Sequence, residues 1–100
     1  MHLYVPRAER RSSARYPLKL QAELSAGDLR IKGMTANISS GGLLMTCDKQ
    51  FRKGTLVTVR LQWPVGRRKD NLFLVVQGEI IRREPARIAI RQRRHDFELA

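Results

Sequence analysis

Residues 29–42 read LRIKGMTANISSGG, and this stretch combines a strand pattern with a polar ending. Its apolar residues alternate along the chain, as expected for a strand with one buried face. The apolar face changes phase partway, because Ile31 is followed by a new series at Met34, Ala36 and Ile38. Gly33 lies at the change, where a β-bulge is expected. The stretch therefore predicts one long, irregular strand rather than a helix.

The polar side chains of the same stretch are predicted to share one face. Because side chains alternate across a strand, Thr35, Asn37 and Ser39 should lie opposite the core. The last six residues, NISSGG, space Asn37, Ser39 and Gly42 as N-x-S-x-x-G. An amide and a hydroxyl can hydrogen-bond the edge of a base, and glycine permits a positive φ and close approach of a ligand. The alternative is a plain hairpin turn with a local side-chain bond, which the motif alone would favour.

The rest of the chain after Pro17 also has strand patterns. Alternation predicts further strands at LKLQAEL (18–24), LLMTC (43–47), LVTVRLQW (56–63), LFLVVQGEII (72–81) and ARIAIRQRR (86–94). Inward positions are Leu18, Leu20, Ala22, Leu24, Val57, Val59, Leu61, Trp63, Ile88 and Ile90, with Cys47 as a small core residue. Six short strands without helical periodicity predict an all-β fold, an antiparallel barrel or sandwich, and closure would remove exposed edges.

The first 17 residues have a different composition from the rest. They are rich in arginine and lack a repeating apolar face, so residues 1–17 are predicted to form a flexible basic arm, and residues 18–100 a single domain. Arg11 and Arg15 are spaced R-x-x-x-R, with Arg10 beside them. Arginine grips phosphate oxygens in pairs and can also bond the O6/N7 edge of guanine. The alternative is an ordinary solvated basic tail, which the spacing alone would favour.

Composition restricts the class of function. The 100 residues carry 20 Lys and Arg against 9 Asp and Glu, a net charge of +11, which favours anionic partners. Cys47 is the single cysteine, so a disulfide within the chain is impossible, and a cytoplasmic location is expected. His2, His95 and the scattered aspartates form no metal-ligand or catalytic spacing. We therefore expect a binding protein without metal or cofactor, and not an enzyme.

The two motifs together are more specific than either alone. An R-x-x-x-R motif before the first strand, followed by N-x-S-x-x-G at the end of the second, resembles the signature of the PilZ domain family. The resemblance covers nearly the whole chain and implies a six-stranded antiparallel β-barrel that binds the bacterial second messenger cyclic di-GMP. It also implies a role for each motif position: Arg11 and Arg15 would bind phosphates and guanine edges, Asn37 and Ser39 would contact a guanine, and Gly42 would shape the turn. Arg10 is an additional candidate contact outside the strict spacing.

The resemblance implies that ligand binding orders the arm and changes the surface offered to a downstream protein partner. Asn37 stands where many relatives have Asp, so its bonds to guanine would lack charge assistance. The rival hypothesis is a small basic barrel that binds nucleic acid or an acidic protein without cyclic di-GMP, and a further one is a PilZ fold used purely for protein contacts. The basic clusters Arg67–Lys69, Arg82–Arg83 and Arg91–Arg94 exceed what one dinucleotide needs, and fit either a solvated face or an acidic partner.

Overall fold

The computed structural model describes residues 18–64 and 72–99. These residues form six strands: β1 (Gln21–Ala26), β2 (Leu29–Ser39), β3 (Gly42–Thr46), β4 (Leu56–Trp63), β5 (Leu72–Glu84) and β6 (Arg87–Leu99). The predicted basic arm lies outside the described residues, as does the loop of residues 65–71. Within the described part of the chain, no helix is long and apolar enough to cross a membrane.

The strands close into an antiparallel barrel in the order β1-β2-β3-β6-β5-β4. Closure is completed by β1 and β4, where Leu24 lies opposite Val59. This confirms the predicted six-stranded barrel. Because the sheet closes on itself, each described strand pairs with a neighbour on both sides over at least part of its length.

The inward faces of the strands fill the barrel with aliphatic side chains. Leu24, Val59, Leu61 and Ile80 are fully buried, and the predicted core positions of β4 and β6 pack with them. Leu18, Leu20 and Trp63 are partly buried against this core, and Cys47 is buried as predicted. Burial of an aliphatic side chain contributes roughly 1.5–3 kcal/mol, so this interior is the main source of the barrel's stability.

The phase change in β2 occurs later than the sequence indicates. The register shifts between Thr35 and Asn37, so the bulge is at Ala36 and not at Gly33. Thr35 consequently points into the barrel opposite Met45 and is 1% exposed, whereas Met34 is 39% exposed. The prediction that Thr35 lies on the outer face was therefore wrong. Asn37 and Ser39 do lie on the outer face, because Ile38 between them is buried in the core.

Strands β5 and β6 extend further than their apolar patterns predict. Both include charged residues, as far as Glu84 in β5 and Leu99 in β6. Ion pairs across their hairpin stabilise one end, since Arg87 Nη2 lies 3.0 Å from Glu84 Oε1. Near the other end, the rings of Trp63 and Phe97 pack edge to face at 5.8 Å between centroids.

Two irregularities interrupt the β5–β6 pair. The register shifts between Gln77 and Gly78 and again between Ile80 and Arg82. At the first shift, Gly78 lies opposite Gln92, and Arg93 of β6 is the additional residue. Ile81 is the additional residue at the second shift, and its backbone deviation helps to form the depression described below.

Candidate functional site

Strand pairing places Ser39 in a row with three residues on the outside of the barrel. Ser39 lies opposite Gly42, Gly42 opposite Arg91, and Arg91 opposite Glu79. With neighbouring strands about 4.8 Å apart, the backbones of Ser39 and Arg91 are about 10 Å apart. Gly42, which carries no side chain, separates the hydroxyl of Ser39 from the guanidinium of Arg91.

A second row runs beside the first. Asn37 lies opposite Leu44, Leu44 opposite Ala89, and Ala89 opposite Arg82. Asn37 and Arg82 are therefore at the two ends of a row that has two apolar residues in its middle. Leu44 and Ala89 face outward, yet they are only 8% and 7% exposed. The two rows together form an apolar floor with polar groups at its ends.

This part of the surface is a depression of about 290 Å³. It is lined by Asn37, Ser39, Gly41, Gly42, Leu43, Leu44, Ile81, Arg82, Ala89, Ile90 and Arg91. An apolar floor with a few convergent hydrogen-bonding groups is typical of small-molecule sites, whose volumes are roughly 300–1,000 Å³. At the low end of that range, the depression can hold part of a dinucleotide but cannot enclose two guanines.

The turn between β2 and β3 fixes the Ser39 hydroxyl. This hydroxyl accepts a hydrogen bond of 3.2 Å from the Gly41 N–H and makes a long 3.4 Å bond to the Gly42 carbonyl oxygen. These are the local bonds expected of a plain hairpin turn. The long bond is weak, so the hydroxyl can exchange it for a ligand atom at little cost.

Gly42 is required by close packing between strands. Its φ is 157°, and a Cβ at this position would overlap the carbonyl oxygen of Ile90 on β6. A side chain here would push β3 away from β6, and these two strands carry Leu44, Ala89 and Arg91. The glycine of the motif therefore maintains the shape of the depression.

The two arginines at the depression differ in their electrostatic surroundings. Arg82 Nε lies 3.0 Å from Glu84 Oε2. This hydrogen bond, with the charges of Arg87 and Arg82, holds the pKa of Glu84 below its ordinary value. Within residues 18–64 and 72–99, Arg91 makes no ion pair. Arg91 is thus the more available cation for an anionic ligand.

The structure brings Asn37, Ser39 and Gly42 together on the depression, as the spacing of the motif predicts. The predicted arm contacts Arg10, Arg11 and Arg15 lie outside the described residues. Sequence reasoning did not place Arg82 and Arg91 at the depression and assigned them to surplus basic clusters. Both arginines follow isoleucine-rich segments, and this pattern indicates that they lie on strands. It does not show which strands lie beside NISSGG.

The chain enters the barrel close to this site. Thr35 accepts a hydrogen bond of 2.8 Å from the Leu20 N–H and donates one of 2.6 Å to the Leu18 carbonyl oxygen. Thr35 also donates its backbone N–H to the Leu20 carbonyl oxygen at 2.9 Å. The segment that follows the predicted arm is therefore attached to β2 two residues before Asn37.

The described part of the chain, residues 18–64 and 72–99, contains no cluster of metal-ligating side chains, since no three His, Cys, Asp or Glu side chains come together there as a metal site. Trp63, an aromatic at a strand end that could have lined a ligand edge, packs on Phe97 and does not line the depression. The depression offers hydrogen-bonding groups and positive charge, which suit an anionic ligand.

Comparison with known proteins agrees with this geometry. The model of the PilZ domain family matches residues 9–98, so the chain belongs to the PilZ domain family. PilZ domains are receptor domains for cyclic di-GMP. The fold is similar to the crystal structure of the PilZ domain of CeSA from a cellulose-synthesizing bacterium, with 22% identity, a TM-score of 0.66 and coverage of 84% of each chain. A search of curated proteins gave no match.

Proposed function

We propose that this protein is a cytoplasmic receptor for cyclic di-GMP that binds the ligand between the depression on the barrel and the arginines of the arm. The observation that carries the proposal is the shared location of Asn37 and Ser39 with Arg82 and Arg91 around one apolar floor. A ligand with two guanines and two phosphates needs flat apolar contact, hydrogen bonds to base edges, and cations. The depression has all three in one place.

On this proposal one guanine lies on Leu44 and Ala89, with its polar edge toward Asn37 and Ser39. The Asn37 amide accepts from and donates to the guanine edge, and the Ser39 hydroxyl exchanges its long bond to the Gly42 carbonyl for a bond to the ligand. Arg91 and Arg82 then lie across the floor from the base, where they can bond a phosphate. Each charge-assisted bond contributes about 1.5–3 kcal/mol when water is excluded.

The arm supplies the rest of the site on this proposal. The depression is too small to enclose the whole ligand, so the second guanine and phosphate need additional groups. Covalent geometry limits the Cα of Arg15 to about 11 Å from that of Leu18, because three residues span at most about 3.6 Å each. Leu18 is hydrogen-bonded to Thr35, beside the candidate site. Arg15 is therefore within reach, and Arg11 and Arg10 precede it by four and five residues in the sequence.

Ordering of the arm is the proposed signal. A segment that docks only with ligand uses part of the binding free energy for its own ordering, and the docked arm presents a new surface. A downstream protein partner would read that surface. The neutral Asn37 lowers affinity relative to a carboxylate at this position, since its bonds to guanine lack charge assistance.

The proposal is tested by calorimetric titration of the full chain with cyclic di-GMP, with GTP and with a short single-stranded oligonucleotide, at low and high salt. Saturable binding of cyclic di-GMP alone supports the receptor. Binding of the oligonucleotide alone, which weakens as salt rises, would instead support a nucleic-acid-binding barrel. Because the heat gives the stoichiometry, the same titration tells whether one ligand or a stacked pair is bound.

A further inference from the structure

A second concave surface lies on another part of the barrel. It has a volume of about 530 Å³ and is formed mainly by outward side chains of β1, β4, β5 and β6. We call it the bulge groove and define it by six residues: Ser25, Leu56, Thr58, Gln77, Arg93 and Arg94. None of these residues lines the depression that contains Asn37 and Ser39. The bulge groove is therefore separate from the candidate cyclic di-GMP site.

The β-bulge in β6 explains why two arginines face the bulge groove. Gln77 pairs with Arg94 and Gly78 pairs with Gln92, so Arg93 is an additional residue with no partner on β5. In a regular strand, consecutive side chains point to opposite faces, but a bulge can turn both to the same side. Arg93 and Arg94 are both exposed, and both line the groove.

The strand registers extend this cationic end into a row across the barrel. Ser25 lies opposite Thr58, Thr58 opposite Gln77, and Gln77 opposite Arg94. Four side chains on neighbouring strands span about 14 Å at the usual strand spacing. All four can donate hydrogen bonds, and none is negatively charged. Such a row is complementary to a series of carboxylates or phosphates.

One residue of the bulge groove indicates which kind of polyanion fits. Leu56 is 63% exposed and lies beside Thr58 on the same outer face of β4. Leu56 also lies opposite Glu79, the carboxylate that pairs with Arg93. An exposed aliphatic side chain matches a protein segment that carries an apolar residue beside acidic ones, whereas a nucleic-acid backbone has no such group. Aromatic side chains, on which bases would stack, are not among the six residues of the groove.

We infer that the bulge groove is a docking site for an acidic segment of a partner protein, with an aliphatic side chain seated on Leu56 and carboxylates on Arg93 and Arg94. Arg94 contributes most of the attraction for the acidic segment, because Arg93 lies 3.9 Å from Glu79 and its charge is partly neutralised. The inference does not depend on which ligand the depression binds.

The inference is tested by selecting binders of the full chain from a display library of random peptides of about ten residues, long enough to span the row. We expect enrichment of sequences with acidic residues around an aliphatic one. Synthetic versions of the enriched peptides are then titrated, by fluorescence polarisation, against the protein and its variants. An oligothymidine probe is titrated in parallel.

Arg94→Ala is expected to weaken the peptides about tenfold, the loss of one charge-assisted contact. Leu56→Ala should weaken them without any change in net charge, and Arg83→Ala, which removes an exposed arginine outside the groove, should change affinity less than twofold. Equal effects of Arg83→Ala and Arg94→Ala would overturn the inference, because the peptides would then respond to the overall positive charge and not to the bulge groove. Enrichment without acidic residues, or loss of oligothymidine binding but not peptide binding in Arg94→Ala, would overturn it as well.

Discussion

The hydroxyl of Thr35 donates a 2.6 Å hydrogen bond to the carbonyl oxygen of Leu18 and joins the entry of the barrel to its second strand. The same oxygen accepts from the Leu20 N–H, so one buried side chain satisfies two backbone groups of a segment that precedes β1. Thr35 is 1% exposed, and water cannot replace it. Thr35 thereby fixes the point from which the proposed arm extends.

Thr35→Val is expected to lower the free energy of unfolding by roughly 1–3 kcal/mol, because the isosteric side chain leaves the Leu20 N–H and the Leu18 carbonyl oxygen without their partner. Chemical denaturation measures this change. Thr58→Val is the matched control: it makes the same substitution on an outer face where the hydroxyl has no hydrogen bond within the described residues. Equal losses in both variants would contradict the anchoring role of Thr35.

Gly42→Ala should destabilise the barrel by at least about 2 kcal/mol, since the added Cβ would overlap the Ile90 carbonyl oxygen of a neighbouring strand. Gly27→Ala is the comparison, because Gly27 also has a positive φ, of 62°, but has no atom within 4 Å of an added Cβ. Gly27→Ala should lower the free energy of unfolding by about 1 kcal/mol, the cost of holding alanine in a left-handed backbone conformation. If thermal denaturation gives the same shift for both, strand contact is not what selects glycine at position 42.

Much of the fold could be predicted from local alternation, and the failures have a common cause. The strand at 56–63 was placed correctly because every second residue is a large aliphatic or Trp63. In β2 the small residues around Ala36 fit either phase, so the bulge was assigned to Gly33 and Thr35 to the wrong face. Local pattern cannot show how a strand pairs at a distance.

The same limit applies to the candidate site. Asn37, Ser39 and Gly42 lie within one turn, so their spacing in sequence predicts their proximity. Arg91 reaches them only because β6 pairs with β3, and Arg82 because β5 pairs with β6. These pairings join distant parts of the sequence and include a bulge. The sequence alone therefore did not distinguish the two arginines from the other basic residues of the surface.

Arg15→Ala is expected to abolish cyclic di-GMP binding in calorimetry while the melting temperature stays nearly unchanged. An arm arginine contributes little to the barrel core, so the loss should appear in ligand binding alone. A large fall in melting temperature would show that Arg15 is a structural residue. Unchanged binding would exclude the R-x-x-x-R motif from the site.

Arg91→Ala should weaken cyclic di-GMP binding about tenfold or more, since Arg91 is a cation at the depression with no ion pair in the described part of the chain. Arg83→Ala removes the same charge from a neighbouring strand outside the depression and serves as the control. The ratio of the two dissociation constants separates a direct contact from general attraction. A ratio near one would exclude Arg91 from the proposed site.

Glu84→Gln is expected to strengthen cyclic di-GMP binding a few-fold. Arg82 is held by the Glu84 carboxylate at 3.0 Å, and that carboxylate competes with a ligand phosphate for the guanidinium. The lowered pKa of Glu84 means that the carboxylate is ionised at neutral pH, so the competition persists there, and it weakens only as pH falls below the ordinary carboxyl range.

Glu98→Gln provides the matched control for this prediction, because Glu98 also pairs with an arginine, Arg60, but lies away from the depression. Both variants raise the net charge equally, so a general increase in attraction for an anion would appear in both. Calorimetry at neutral pH should show tighter binding for Glu84→Gln alone. Equal gains in the two variants would mean that Arg82 does not contact the ligand, and the phosphate would then be bound by Arg91 and the arm.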